Sequence, residues 1–178
     1  MASTSPGRIW MMRLAFPVLA LILMFFHLLP LDTLPSRWAP PDLLLALALA
    51  WSLRRPDFVP AVLIGATMLV ADMMFQRPPG LFAMLVVLGC EFLKSRVMPH
   101  RETAFAAEWL AVAVVICGIV ILNRAILAIL AVAQAPLGLT LIQAVLTIAA
   151  YPLVVVLSQT LLGVRKLSPA EAEVLGSR

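Results

Sequence analysis

Five ionisable side chains lie inside or at the ends of long apolar runs in this sequence, where each could carry chemistry. They are Asp42, Asp72, Glu91, Glu108 and Arg124. A charged group is costly in an apolar environment, so such residues are functional candidates by default. Their spacing and their neighbours decide whether they form a catalytic set.

The histidines and aspartates do not form a recognisable catalytic set. An intramembrane protease needs a serine–histidine pair, an aspartate pair or a zinc-binding cluster. Asp42 and Asp72 are not in glycine-flanked motifs, and His27 and His100 fall near opposite faces of the predicted topology. The sequence also has no glycine-rich phosphate loop. These features predict a protein that is not an enzyme and that has no metal or cofactor.

The composition indicates that lipid surrounds most of the chain. Of the 178 residues, 63% are hydrophobic and 12% are charged, and the mean hydropathy is +1.05. A soluble domain is about half apolar and about a quarter charged. The basic residues stand near predicted helix ends and do not form one stripe, which favours membrane topology over nucleic-acid binding. Cys90 and Cys117 both lie in apolar runs and are predicted to be packing residues.

Six apolar segments predict an all-α integral membrane protein with about six transmembrane helices, since a spanning helix needs about 20 residues. They are residues 14–29, 43–53, 58–75, 81–93, 105–133 and 139–164. The first is predicted to be a retained span, because no small-residue cleavage site follows it. Residues 14–164 then form one transmembrane domain, and residues 1–13 and 165–178 flank it as cytoplasmic segments.

The loop charges predict the orientation. Of the 13 Lys and Arg residues, ten fall on the side of the termini, Arg37 and Arg77 fall on the other side, and Arg124 is near or within the membrane. The positive-inside rule therefore places both termini in the cytoplasm. The ten are Arg8, Arg13, Arg54, Arg55, Lys94, Arg96, Arg101, Arg165, Lys166 and Arg178.

Three of the candidates are predicted to share one depth at the outer face, namely Asp42, Asp72 and Arg124. An ion pair between Arg124 and one or both aspartates is therefore a hypothesis. Each residue also has a simpler interpretation. Asp42 follows two prolines and opens a helix, where it could cap the N-terminus. Asp72 could reach the lipid headgroups, and Arg124 could extend to the interface.

The two glutamates are predicted to lie nearer the cytoplasmic side. Glu91 is the deepest of the candidates, because it lies about 16 Å into its span at 1.5 Å per residue. Such a carboxylate needs a partner, and Lys94 at i+3 could supply one. Glu108 lies one turn inside the fifth span and is predicted to be interfacial. Trp51, near the end of the second span, is likewise predicted to be an interface residue.

A succession of short motifs runs through the sequence: WAPPDLLL at 38–45, WSLRRP at 51–56, Gly65, Asp72, PGL at 79–81, EFLKSR at 91–96 and FAAEW at 105–109. No single motif is diagnostic, but the succession and the topology fit together. Over residues 10 to 165, their order resembles the rod shape-determining MreD family of bacteria.

The resemblance implies a helical fold similar to the substrate-binding S component of ECF transporters, located in the bacterial inner membrane. It implies a regulatory role in lateral peptidoglycan synthesis and rod shape. The implied partner is an MreC-like protein with one span. Further implied partners are a RodA-type glycosyltransferase, a penicillin-binding transpeptidase and MreB filaments.

A partner could be bound through small residues and polar groups, which allow helices to associate in lipid. Gly65 and Ala66 in the third span and Cys117 and Gly118 in the fifth allow close backbone approach, although packing within the chain also explains them. Asp42, Asp72 and Arg124 would then set the register with the partner.

The cytoplasmic basic residues Arg54, Arg55, Arg96 and Arg101 could hold anionic lipid or contact a filament. Positive-inside topology alone also explains them.

The alternative function is a small-molecule binding or transport subunit of the inner membrane. It requires a cavity between helices, lined by Glu91 or Arg124. The sequence leaves open which helix contacts a partner, the stoichiometry and whether any ligand is bound.

Overall fold

The computed structural model describes residues 6–29, 39–96 and 104–164, which form six α-helices and one 3-10 turn at Pro56–Phe58. Residues 1–5, Trp38, His100, Arg101 and the tail at 165–178 lie outside the described residues. The helices are α1 (Pro6–Leu28), α2 (Leu43–Arg54), α3 (Ala61–Met74), α4 (Leu81–Arg96), α5 (Phe105–Ile129) and α6 (Leu137–Leu162).

The all-helical class and the six helices agree with the sequence pattern, but several boundaries differ. α1 begins at Pro6, so Arg8 and Arg13 belong to the first helix and not to a segment before it. The predicted third span is divided, because the 3-10 turn precedes α3. α5 ends at Ile129 instead of continuing to residue 133, and Ala131 then has a φ of +52°.

Prolines and caps explain where several helices begin and end. The Asp42 carboxylate accepts a hydrogen bond from the Leu45 amide at 2.9 Å and so caps α2. Pro56 follows the end of α2 and disfavours helical geometry in the residue before it. Pro136 precedes α6, which ends at Gly163 with a φ of +64°, the left-handed conformation that glycine adopts most readily.

In the described part of the chain, three helices, α1, α5 and α6, are long and apolar enough to cross a membrane. The helices α2, α3 and α4 have 12, 14 and 16 residues. α2 would measure only about 18 Å at 1.5 Å per residue. Its residues from Leu44 to Ser52 are all buried by the surrounding helices, so α2 is a central core helix with no lipid-facing side.

The six helices alternate in direction. At one end of the bundle, which we call the basic end, helices α1, α3 and α5 begin and helices α2, α4 and α6 end. We call the other end the opposite end. Four contacts define the basic end: Arg8 to Gly163, Arg13 to Asp57, Arg54 to Glu108 and Lys94 to Val59.

The core is built around Trp51, whose side chain is fully buried. Its ring lies 5.7 Å from that of Phe16 and 6.5 Å from that of Phe58, measured between centroids. Its indole N–H donates a hydrogen bond to the Ser158 hydroxyl of α6 at 3.1 Å. The prediction that Trp51 sits at a membrane interface is therefore wrong, because α1 and α6 cover it.

The small residues divide between internal packing and the outer surface. A Cβ atom at Gly89 would lie 2.9 Å from Val115 of α5, so glycine permits the close contact of α4 with α5. Gly65 similarly faces Val87 at an ordinary contact distance. Gly118 has open space beside it and Cys117 is exposed, whereas Cys90 is buried as a packing residue.

Candidate functional site

At the basic end, Arg54 and Glu108 form a buried ion pair. The Arg54 Nε atom lies 3.0 Å from Glu108 Oε1, and the hydroxyl of Tyr151 donates to the same carboxylate oxygen at 2.8 Å. Glu108 is only 3% exposed. The prediction that Glu108 is interfacial is therefore wrong: α2 and α6 each direct a polar group at the first turn of α5 and enclose the carboxylate.

This burial also changes the interpretation of the basic residues. Arg54 and Arg55 are both buried, and the Arg55 guanidinium stacks over the Phe58 ring at 5.5 Å. They are placed to hold the fold together and not to present charge to lipid or a filament. Arg96 is exposed and stacks over Phe92, so among the described members of this predicted basic group it remains accessible.

The connection between α2 and α3 is held from two sides. The Arg13 side chain of α1 donates to the carbonyl of Asp57 at 3.1 Å, and Lys94 Nζ of α4 donates to the carbonyl of Val59 at 2.7 Å. Burial raises the pKa of the Asp57 carboxyl, against the opposing charges of Arg55, Arg13 and Lys94. Arg13 and Lys94 thus hold two backbone carbonyls of this connection and fix the entry into α3.

Glu91 pairs with Lys94 at 2.8 Å, which confirms the i, i+3 pairing that the spacing predicts. However, the Glu91 side chain is 48% exposed. Its position about eleven residues into α4 fits the predicted depth along the helix, but the side chain is not enclosed by the bundle. Among the described residues, Asp72 and Glu108 are the enclosed carboxylates instead.

At the opposite end, Asp42 joins three elements. Its carboxylate caps α2, its backbone amide donates to the Thr147 hydroxyl of α6 at 2.8 Å, and its Oδ2 atom lies 3.8 Å from Arg77 Nη1. The capping interpretation of Asp42 is confirmed. Arg77 lies in the turn after α3, and its sequence position predicted only the orientation of the chain. In the sequence it is a basic residue beside two prolines, a pattern that does not indicate its contact with Asp42.

Asp72 is fully buried and serves the start of α4. Its Oδ2 atom accepts hydrogen bonds from the amides of Gly80 and Ala83, both at 3.1 Å. Its other carboxylate oxygen has no hydrogen-bond partner among the described residues. Because the side chain is not exposed, Asp72 does not reach the headgroups. It supplies acceptors to amides that have no partner within their own helix turn.

Arg124 closes the turn between α5 and α6. Its Nη1 atom donates to the carbonyl of Ala135 at 3.0 Å and to the Thr140 hydroxyl at 2.8 Å. The Gln134 amide donates back to the Arg124 carbonyl at 3.1 Å. Within the described part of the chain, Arg124 has no ion pair, so the predicted pair with Asp42 or Asp72 is wrong. The Ala135 carbonyl and the Thr140 hydroxyl, which bind Arg124 instead, lie closer to it along the chain than the two aspartates do.

Asp42 and Arg124 nevertheless lie on one cavity of about 350 Å³ between α2, α5, α6 and the turn after α3. A second cavity of about 200 Å³ lies between the end of α1 and the start of α2, and Asp42 and Arg77 line both. The polar residues that line the larger cavity are Asp42, Gln76, Arg77, Asn123, Arg124, Gln134, Thr140, Gln143 and Thr147.

The larger cavity is the best candidate functional site in the described part of the chain. It combines two guanidinium groups, one carboxylate, hydroxyls and amides, and its chemistry is that of binding. In the same residues, no group of three or more His, Cys, Asp or Glu side chains could hold a metal ion.

Comparison with known proteins leaves the family unassigned. No protein-family model matches the sequence, and no curated protein or solved structure matches it.

Proposed function

We propose that this chain is a non-enzymatic membrane subunit of the bacterial cell-elongation machinery. In this role it binds an MreC-like partner with one span and helps regulate lateral peptidoglycan synthesis and rod shape. The resemblance to the MreD family motivates the proposal, and one structural observation supports it. The enclosed carboxylates, Asp72 and Glu108, serve internal contacts, while the outward faces of α1, α5 and α6 are apolar.

A protein with this surface meets a partner through its lipid-facing helices. Exposed apolar side chains on α5 include Leu110, Val114 and Ile121, and the open position of Gly118 lies on the same helix. Small residues on a lipid-facing helix let a second backbone approach closely. We therefore assign the partner contact to α5 around Cys117 and Gly118. Gly65 is less suitable because it already packs against Val87.

The proposal includes six membrane passages with both termini in the cytoplasm. Two observations support it: the helices alternate in direction, and Arg8, Arg13, Lys94 and Arg96 gather at the basic end. A short α2 fits such an arrangement, because a helix that is surrounded by protein does not have to match the thickness of the hydrocarbon core.

Co-purification from bacterial membranes tests the partner. Tagged protein should recover a single-span protein with an extracytoplasmic domain. Gly118→Leu should abolish this recovery, since the added side chain blocks close approach. Ala149→Leu, which adds the same side chain at an exposed position of α6, is the matched control and should leave it intact. Recovery of the tagged protein alone, or equal recovery by both variants, would contradict the assignment.

Alanine substitutions at Asp72 or Arg124 are poor probes of the partner. Asp72 holds the start of α4 and Arg124 holds the turn before α6, so their loss alters the fold itself. A lost interaction in those variants would not locate a contact surface.

The larger cavity favours a second candidate function, a subunit that binds a small molecule. Arg124 lines this cavity, as the alternative required, while Glu91 does not. Its volume of about 350 Å³ is within the usual range for ligand pockets, roughly 300–1,000 Å³. Mass spectrometry of the protein released from native membranes tests this function, because a bound molecule should leave with it.

A further inference from the structure

The charges on the larger cavity favour an anion. Arg77 and Arg124 contribute two guanidinium groups, and Asp42 contributes the one carboxylate among the residues that line it. The carboxylate is already engaged, since it caps α2 and faces Arg77. The formal charge of this lining is therefore +1, and a ligand without negative charge would leave it unbalanced.

Arg124 retains donors for such a ligand. A guanidinium has five N–H donors, and both hydrogen bonds that the Arg124 side chain makes to the described residues use Nη1. These bonds hold the guanidinium in place and leave Nε and Nη2 without a partner in the described part of the chain. Arg77 stacks over Phe82 at 4.8 Å, which orients a second guanidinium at the same cavity.

Three amides extend the binding surface beyond the two charges. The side chains of Gln76, Asn123 and Gln143 line the cavity and make no hydrogen bond to the described residues. An amide both donates and accepts, so it suits hydroxyl or ester groups next to an anion. The apolar remainder of the lining comes from the Phe82 ring and from aliphatic side chains such as Ile116.

We propose that the larger cavity binds a phosphate-bearing polar group, with Arg124 and Arg77 on the phosphate and the three amides on neighbouring hydroxyls. A phosphate offers enough acceptor oxygens for two guanidinium groups and suits the planar fork of arginine. The group is either a free phosphorylated solute or the headgroup of an anionic phospholipid. This inference rests on the second candidate function and names its ligand.

Two binding measurements distinguish the sources. In phosphatidylcholine nanodiscs, the protein is titrated with glycerol phosphate and with glycerol, its neutral counterpart, by calorimetry. In a second arm, no soluble probe is added and the nanodiscs also contain phosphatidylglycerol. Native mass spectrometry then records which lipid stays bound to the protein. Binding of glycerol phosphate without binding of glycerol supports the free solute, and selective retention of phosphatidylglycerol supports the headgroup.

Variants locate the site in whichever arm shows binding. Arg124→Gln should weaken binding about tenfold or more, since a charge-assisted hydrogen bond is lost. Because Arg124 also holds the turn before α6, Asn123→Leu and Gln143→Leu provide a second test; each removes an amide with no internal bond and should weaken binding a few-fold. In the glycerol phosphate titration, Arg96→Gln removes an exposed cation at the basic end, away from the cavity, and should change nothing.

Three outcomes would overturn the inference. If glycerol binds as well as glycerol phosphate, or a neutral molecule leaves native membranes with the protein, the ligand class is wrong while the second candidate function stands. If neither arm shows binding and nothing leaves with the protein, both fail. If Arg96→Gln weakens the binding of glycerol phosphate as much as Arg124→Gln does, the attraction is general and the cavity is not the site.

Discussion

Arg54 at the end of α2 and Glu108 in the first turn of α5 are joined by a buried ion pair at 3.0 Å, although 54 positions separate them. The pair fixes the central helix against the outer layer at the basic end. Trp51, one turn earlier on α2, adds its hydrogen bond to Ser158 of α6. The end of α2 is thus attached to two neighbouring helices by polar groups that only a folded bundle brings together.

Removal of one member of this pair should destabilise the protein strongly. Glu108→Ala leaves the Arg54 guanidinium buried without its carboxylate, and breaking a buried pair costs about 3–5 kcal/mol. Replacement of both residues by leucine should cost less than either single change, because no charge then remains enclosed. Thermal unfolding in detergent measures this difference. A double variant less stable than both single variants would contradict it.

The Tyr151 hydroxyl should contribute through the same carboxylate. Tyr151→Phe removes the 2.8 Å hydrogen bond to Glu108 and should cost about 1 kcal/mol. In a Glu108→Ala background the same change should cost little more, since its acceptor is already absent. A double-mutant cycle on unfolding free energies makes the comparison. Equal costs in both backgrounds would mean that the hydroxyl acts elsewhere.

Asp72 should act on stability and not on partner binding. Asp72→Ala removes the acceptor of the Gly80 and Ala83 amides and should cost about 2 kcal/mol. Asp72→Asn retains a carbonyl acceptor and should cost less. Both can be measured by thermal unfolding, with co-purification as the second measurement. A fully stable Asp72→Ala protein that loses the partner would show that the side chain binds outside the bundle.

Two glycines on adjacent helices should respond differently to the same substitution. Gly89→Leu must displace Val115 and Ile119, which lie 2.9 Å and 3.0 Å from the position of a Cβ atom. Overpacking of this kind costs about 1–3 kcal/mol. Gly118→Leu meets no neighbouring atom and should leave the unfolding temperature unchanged. If the two variants lose equal stability, α4 and α5 do not make this contact in the membrane.

Cysteine labelling should distinguish the two ends of the bundle. In a variant with Cys90→Ala and Cys117→Ser, a single cysteine is placed by Ser95→Cys at the basic end or by Ala133→Cys at the opposite end. The cytoplasmic assignment predicts that an impermeant maleimide labels Ala133→Cys in intact spheroplasts. Ser95→Cys should react only after permeabilisation. If only Ser95→Cys reacts in intact spheroplasts, the orientation is the reverse of the one proposed. If both variants react there, the two ends of the bundle do not lie on opposite sides of the membrane.

The sequence alone determined the features that depend on local chemistry. Apolar runs separated by prolines and charges identified six helices, although their ends shifted by several residues. The capping role of Asp42 followed from its place after two prolines, and the Glu91–Lys94 pair followed from i, i+3 spacing. The cap and the ion pair each join residues within one turn of helix, and such residues are close in space because they are close in the sequence.

The tertiary structure alone decided which charges meet and which side chains face lipid. Arg54 met Glu108, and Asp42 met Arg77 in place of Arg124, because the helix order and rotation set those distances. Trp51 became buried for the same reason, since other helices surround α2 on all sides. In lipid, hydropathy is similar on the inner and outer faces of a helix. The apolar pattern therefore marks each helix but not the side that packs against its neighbours.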